Sequence, residues 1–257
     1  MREGIGMIPK IIHYCWLSGN ELPDKTLRCI SSWKKYLPDY EIMLWDLSRF
    51  DINRLNWTRE AYENKKFAFA SDYIRFYALY NYGGIYLDSD VEVLRNMDNL
   101  LKLDFFCGYE YEGLPEAAII GSAKKQMWAL NCMQWYENNN FKNMDGSFNM
   151  KVAPVIFQSG LEKVLGEKLI DKNQVEYYVN DTYCIFPYDY FSPKNSFNGN
   201  VSVTDNSYTI HHFNADWAQK NKKIKLKKNI HLLLIRMLGR KQYIILLYYI
   251  RKKTKAV

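Results

Sequence analysis

Asn81-Tyr82-Gly83-Gly84-Ile85-Tyr86-Leu87-Asp88-Ser89-Asp90-Val91-Glu92-Val93 decides how the rest of the chain is read. Gly83 and Gly84 stop the helix-like pattern before them, Ile85 to Leu87 is a short apolar strand, and Asp88 and Asp90 stand where that strand runs out. On a straight strand, carboxylates two residues apart share one face, and a cation between them lets both ionise. Oxygen ligands of this kind suit Mg2+ or Mn2+. A solvated Asp-Ser-Asp turn is the competing reading.

Moving upstream, Phe67 to Tyr82 carries Phe69, Tyr73, Phe76, Tyr77 and Tyr80 at helical spacing and ends at the glycine pair. Asp72 and Arg75 lie on one face of this helix, either as a surface ion pair or as the border of the pocket that the helix feeds. Ile8 to Trp16 reads as a first strand, with the loop Leu17 to Pro23 leaving its end, where ligand loops sit in open α/β sheets. Trp16 is placed either to pack in the core or to stack on a flat ligand, and His13 reads as a core or edge histidine. Leu27, Ile30, Trp33 and Leu37 mark a helix and Tyr40 to Trp45 a second strand, which makes a β-α-β start.

Downstream, strands are expected at Phe105–Tyr109, Ala117–Ile120, 175–179, Cys184–Phe186 and Tyr208–His212, and helices at Met127–Tyr136 and Pro154–Leu165. The Asn-rich stretch 138–149 reads as a loop, and Ser192 to Asn206 as a mobile flap.

The composition bounds the classes. With 257 residues and 48% hydrophobic content the chain has material for a full core. The 21 Tyr and 7 Trp suit stacking on ring-shaped ligands. Five scattered cysteines, Cys15, Cys29, Cys107, Cys132 and Cys184, form no Cys-x-x-Cys pair, which argues against a disulfide framework or a zinc site and for a reducing cytoplasm. No run approaches the roughly 20 apolar residues of a spanning helix, and the first residues lack a signal-peptide core. The net charge of +7 hides an asymmetry. From Lys220 onward there are 13 basic and no acidic residues, so the remainder holds 35 − 13 = 22 basic and 28 acidic, or −6. Ile230, Leu233, Leu234, Met237 and Leu238, then Ile244, Leu247 and Tyr248, fall at helical spacing among those lysines and arginines. Residues 220–257 therefore read as a basic amphipathic tail for an anionic inner-leaflet surface, or as a helix packed back on a body of residues 1–219; no nucleic-acid partner is expected.

Four stretches in order carry a resemblance: Ile-Pro-Lys-Ile-Ile-His-Tyr-Cys-Trp from Ile8, Phe-Ala-Phe-Ala-Ser-Asp-Tyr-Ile-Arg-Phe from Phe67, Tyr-Gly-Gly-Ile-Tyr-Leu-Asp-Ser-Asp from Tyr82, and His-His-x-x-x-x-Trp from His211. They resemble the DXD-containing sugar transferases of glycosyltransferase family 32, which include capsular polysaccharide enzymes and share core motifs with the glucosylating clostridial toxins. The resemblance implies an α/β fold of glycosyltransferase-A type, a Rossmann-like mixed sheet flanked by helices. It implies metal-dependent, configuration-retaining transfer of a hexose or N-acetylhexosamine from a nucleotide sugar, with UDP-linked donors favoured. The acceptor would be a capsular, lipopolysaccharide or related cell-surface oligosaccharide, or a lipid-linked one. The enzyme would work in the cytoplasm, peripheral on the inner face of the plasma membrane.

Carried over residue by residue, Trp16 would stack on the base and Tyr86 would lie beside the nucleotide. Asp72 and Arg75 would hold the donor sugar and its diphosphate side, and Asp88 would touch the ribose and sugar hydroxyls and reach the metal through water. Asp90 would ligate the metal directly, His211 or His212 would approach it, and Trp217 would reach the diphosphate. The chain departs from the pattern at Ala215 and Asp216, where relatives carry a small residue and Ser, so that Asp216 becomes a further candidate oxygen ligand. The metal would stabilise the departing nucleoside diphosphate, and Asp72 a cation-like sugar. An apolar strand before Asp-x-Asp-Val also fits a haloacid-dehalogenase-type phosphatase, with Asp88 as nucleophile and Asp90 as acid, although no later acidic pair follows. A non-enzymatic membrane-surface protein accounts for the tail alone.

Overall fold

The computed structural model describes residues 7–166, 178–179, 182–195, 197–213 and 222–254. The chain begins with strand β1 (Ile11–Cys15), helix α1 (Asp24–Tyr36) and strand β2 (Glu41–Trp45), then α2 (Asn56–Glu63) and α3 (Phe67–Tyr82). Strands β3 (Gly84–Leu87), β4 (Val91–Val93), β5 (Phe105–Tyr109) and β6 (Pro115–Ser122) follow, then α4 (Met127–Glu137) and α5 (Ala153–Leu165). Next come β7 (Tyr178–Val179), β8 (Tyr183–Phe186), the single turn α6 (Tyr188–Phe191) and β9 (Thr209–His211). Helices α7 (Lys222–Leu238) and α8 (Arg240–Thr254) end the described chain.

Seven strands form one sheet in the order β2-β1-β3-β6-β5-β8-β7. β1 runs parallel to β2 and β3, β6 antiparallel to β3 and β5, and β5 parallel to β8. The sheet is mixed and covered on both faces, which is why β3, β5 and β6 are buried along their whole length and read as near-continuous apolar runs. Alternation along β3 divides the two cores. Tyr86 joins Phe76, Trp128 and Phe157 from α3, α4 and α5, whereas Ile85 and Leu87 join Trp33 of α1 on the opposite face. Trp33 also donates its Nε1–H to the carbonyl of Val91 at 2.7 Å, which fastens α1 to β4.

The glycine pair permits a close crossing. Gly83 and Gly84 take φ of 66° and 108°, and a Cβ on Gly84 would stand 2.6 Å from the carbonyl oxygen of Ile11. His13 seals the junction from within the sheet. Fully buried, it donates from Nε2 to the Gly83 carbonyl at 2.7 Å and accepts at Nδ1 from Trp45 Nε1 at 3.1 Å. Burial pulls its pKa down to about 4, so the ring is neutral and this tautomer is the one its partners require.

Three expectations change. The chain does not run straight through the acidic pair: it turns, with the Val91 amide donating to the Asp88 carbonyl at 3.0 Å, and β4 leaves the main sheet to pair with β9. The segment expected as a flap, Ser192 to Asn206, has contacts to the body among its described residues: Arg95 donates to the Asp205 and Asn206 carbonyls at 2.7 and 2.9 Å. The Asn195 side chain accepts from the Phe197 amide, and the Phe197 ring stacks on His231. The tail is divided rather than uniform. Tyr243, Ile244 and Leu247 of α8 are buried with Leu114, and Val155, Phe197, Leu234 and Ile235 pack around them. Ile230, Leu233, Met237 and Leu238 of the same predicted stripe stay exposed. Of the strand expected over 175–179, only Tyr178 and Val179 lie within the described residues.

Candidate active site

The parallel pairing of β1 with β3 sets Trp16, just past β1, and Asp88, just past β3, at the same edge of the sheet. Asp88 is fixed by its amide, which donates to the Ala118 carbonyl at 2.9 Å and continues the β3–β6 ladder. Beyond the turn, the β4–β9 ribbon places Val91 opposite His211, so the end of the chain's last strand arrives beside Asp90. Asp88, Asp90 and His211 each offer one ligand atom, and those atoms lie within 4.8 Å of one another. Two carboxylates and one imidazole converging so closely suit a divalent cation of the Mn2+ or Mg2+ kind, so the donor set fits the metal that the sequence implied.

Arg75 stands behind this group. Its Nη2 lies 3.0 Å from Asp88 Oδ1 and 3.3 Å from Asp72 Oδ1, and its Nη1 donates to the Ala117 carbonyl at 2.8 Å. Arg75 and Asp72 are both buried, so the i,i+3 pair on α3 is interior rather than a surface ion pair. One cation between two carboxylates holds both in place. Burial pushes the Asp72 carboxyl up to about 7 although Arg75 opposes the shift. The Tyr86 ring is buried beneath the guanidinium, 4.7 Å from it, and so faces Arg75 and the core.

The two histidines separate because His211 ends β9 and the next residue along an extended chain faces the opposite way. The Nε2 of His211 is 3.5 Å from Asp90 Oδ1 and its Nδ1 is 3.4 Å from Glu116 Oε2. Burial works against its charge, but the Glu116 and Asp90 carboxylates outweigh it and hold the cation-free imidazole well above its ordinary range, so a cation at Nε2 would take the place of that nitrogen's proton. His212 turns away to Glu92 Oε2 at 2.9 Å, and only its backbone amide meets Asp90, through the carbonyl. His212 is therefore corrected: it is not part of the ligand group. Trp16 is half-buried and donates Nε1–H to the Asn20 carbonyl at 2.8 Å. Asp216 and Trp217 lie outside the described residues.

Glu116 was not anticipated. It lies on the first residues of β6, two positions ahead of the carbonyl that fixes Asp88, and is 1% exposed. A Leu-Pro-Glu sequence reads as a loop with a solvated acid, and nothing local marks it as interior.

Residues 23–106 match the family described as the glycosyltransferase sugar-binding region containing a DXD motif. Over that span the chain is similar to a DXD sugar-binding region. Asp88-Ser89-Asp90 is its Asp-x-Asp, and Asp72 and Arg75 lie within the same span. Among curated proteins, inositol phosphoceramide mannosyltransferase 3 of Schizosaccharomyces pombe is 39% identical over 98 residues, covering 37% of this chain and 27% of that protein. Mannosyl phosphorylinositol ceramide synthase CSH1 of Saccharomyces cerevisiae is 31% identical over 104 residues, with 39% and 27% covered. The chain thus spans less than a third of the curated relatives it matches first. A solved structure titled PaToxG Glycosyltransferase superposes with a TM-score of 0.51 at 20% identity, over 63% of this chain and 71% of that one, and has the same fold.

Proposed function

We propose that this protein is a metal-dependent, retaining glycosyltransferase that moves a hexose or N-acetylhexosamine from a nucleotide sugar, with UDP-linked donors favoured, to a cell-surface oligosaccharide or lipid-linked acceptor. The convergence of Asp88, Asp90 and His211 beside the buried Asp72–Arg75 pair carries this reading. When bound, Mn2+ or Mg2+ supplies positive charge for the diphosphate leaving group. The chain's own residues do the rest. Asp90 and His211 hold the cation, and Arg75 keeps Asp88 and Asp72 from separating as charge shifts in the pocket. Asp72, ionised above about pH 7, faces a sugar that turns cation-like as the bond breaks. Trp16 at the sheet edge stacks on the base; by the resemblance, Trp217 would reach the diphosphate and Asp216 would offer a further oxygen ligand.

The acceptor is read from the relatives and the tail together. Both named yeast relatives are called after mannosyl transfer to an inositol phosphoceramide, a lipid. In this chain α7 exposes Ile230 at 50%, Leu233 at 57% and Met237 at 71%, within a segment of 13 basic and no acidic residues. No helix of the described residues is long and apolar enough to cross a membrane. The protein works at the cytoplasmic face of an anionic bilayer, with α7 laid on it, where each nearby Lys or Arg is worth about 1 kcal/mol.

Incubation with Mn2+ and a panel of UDP-hexoses, UDP-N-acetylhexosamines and mannosyl donors tests the reading by nucleoside diphosphate release. One donor should be turned over, and chelation should abolish turnover. If no donor is cleaved and none stabilises the protein beyond its bare nucleoside diphosphate, the assignment to sugar transfer fails.

A further inference from the structure

A carboxylate removed from water is costly unless donors meet its oxygens, and Glu116 finds them in three separate parts of the chain. Its Oε1 accepts from the Ala118 amide at 2.9 Å, and its Oε2 accepts from the Ser192 hydroxyl and lies 3.4 Å from His211 Nδ1. Ser192 is itself buried at the end of α6, and the carbonyl of the preceding Phe191 accepts from Thr209 Oγ1 at 2.6 Å, two residues before His211. The carboxylate is thus aimed from both sides, by its own strand and by the segment that braces β9. The His211 ring lies between Glu116 at one nitrogen and Asp90 at the other.

We infer that Glu116 is a positioning residue for the cation site: by accepting the Nδ1–H of His211 it fixes the ring's orientation and tautomer and leaves the Nε2 lone pair directed at the space shared with Asp88 and Asp90. Glu116 itself has no open face for a sugar or a metal, since both oxygens are taken by chain donors. Its action is on His211, and a carboxylate behind a ligating imidazole also makes that imidazole a better donor. This rests on reading Asp88, Asp90 and His211 as a metal site.

Two measurements on the full chain test it. In protein with 15N-labelled histidine, saturated with diamagnetic Mg2+, long-range proton–nitrogen correlation should show His211 protonated at Nδ1 and bare at Nε2. The opposite tautomer overturns the inference without any variant. Glu116→Gln keeps the shape of the side chain and removes its charge. Its affinity for Mn2+, followed by electron paramagnetic resonance of the free ion, should fall by about 10- to 100-fold while the circular dichroism spectrum is unchanged. Wild-type Mn2+ affinity in a folded Glu116→Gln protein overturns the positioning role alone. Failure of the wild-type protein to bind Mn2+ at all, with or without a nucleoside diphosphate, takes down the metal reading and this inference with it.

Discussion

Phe157 on α5 and Leu233 on α7 are both apolar residues of helices in the same chain, and they meet opposite surroundings. Phe157 is fully buried, with Trp128, Phe76 and Phe105 at ring separations of 5.1, 5.9 and 6.0 Å, whereas Leu233 is 57% exposed. The difference lies in what the rest of the sequence supplies. The sheet offers α3, α4 and α5 a continuous apolar face, whereas the apolar contact of the tail with the body is small, made by Leu114, Val155 and Phe197 and covering one face of α8. Apolar residues of α7 turned away from that small contact have no protein surface to meet, and the charge around them is of one sign.

The sharpest contrast comes from substitutions on each side. Phe157→Ala should lower global stability by about 3–5 kcal/mol in denaturant titration, as large-to-small changes of core aromatics do. A loss below about 1 kcal/mol would mean that α5 is no more firmly held than the tail. Asp90→Ala strikes the body's chemistry rather than its packing. Transfer should fall about 100- to 1000-fold, equal to roughly 2.7–4 kcal/mol of barrier, with the unfolding midpoint unchanged. Retained turnover at saturating Mn2+ would place the cation elsewhere.

The body should also respond to acid through His13. His13 has its pKa lowered from 6.5 to about 4, so below pH 6.5 the unfolded chain takes up a proton that the folded one refuses. Its stabilising contribution is complete above pH 6.5 and is lost at about 1.4 kcal/mol per unit as pH falls toward 4, some 3 kcal/mol in all. A His13→Gln protein should lack that slope, and equal slopes in the two proteins would remove His13 as the cause. The smallest effect belongs to α7. Leu233→Ser with Met237→Ser should change stability by less than about 0.5 kcal/mol, as expected for exposed sites. The same pair should weaken sedimentation with phosphatidylglycerol vesicles at least tenfold, since each lost insertion is worth about 1.5–3 kcal/mol. Unaltered pelleting would assign any vesicle binding to charge alone. These point changes are cleaner than truncation, because removing α8 would uncover Leu114 and Val155.

Much of the body was legible. The bounds of α3 and β5 are those read from the sequence, because the Gly83–Gly84 stop and the all-apolar run Phe105 to Cys107 are local signals. The acidic pair was legible as chemistry, though not as geometry: a straight strand and a tight turn both bring the two carboxylates together, and only the Asp88–Val91 hydrogen bond distinguishes them. Period-2 alternation separates His211 from His212 without saying which faces inward, since that depends on the register with β4. Glu116 was illegible because two of the three groups that hold it in the interior, Ser192 and His211, lie far along the chain. In the tail the helical stripe was plain, but its partner Phe197 sits in a stretch whose Asn, Ser and Gly content suggested a flap.

The β4–β9 ribbon has a consequence for anyone wishing to transplant this activity. The likeness to sugar transferases lies in residues 23–106, yet the imidazole of the candidate cation site comes from His211, and the carboxylate beside it from Glu116. Neither belongs to that span. A minimal module cut at its recognisable borders would keep Asp88 and Asp90 in the turn before an unpaired β4, with nothing to clamp them from the other side. The smallest unit worth grafting runs at least from β1 through β9, and what is easiest to recognise in this protein is not what can be moved alone.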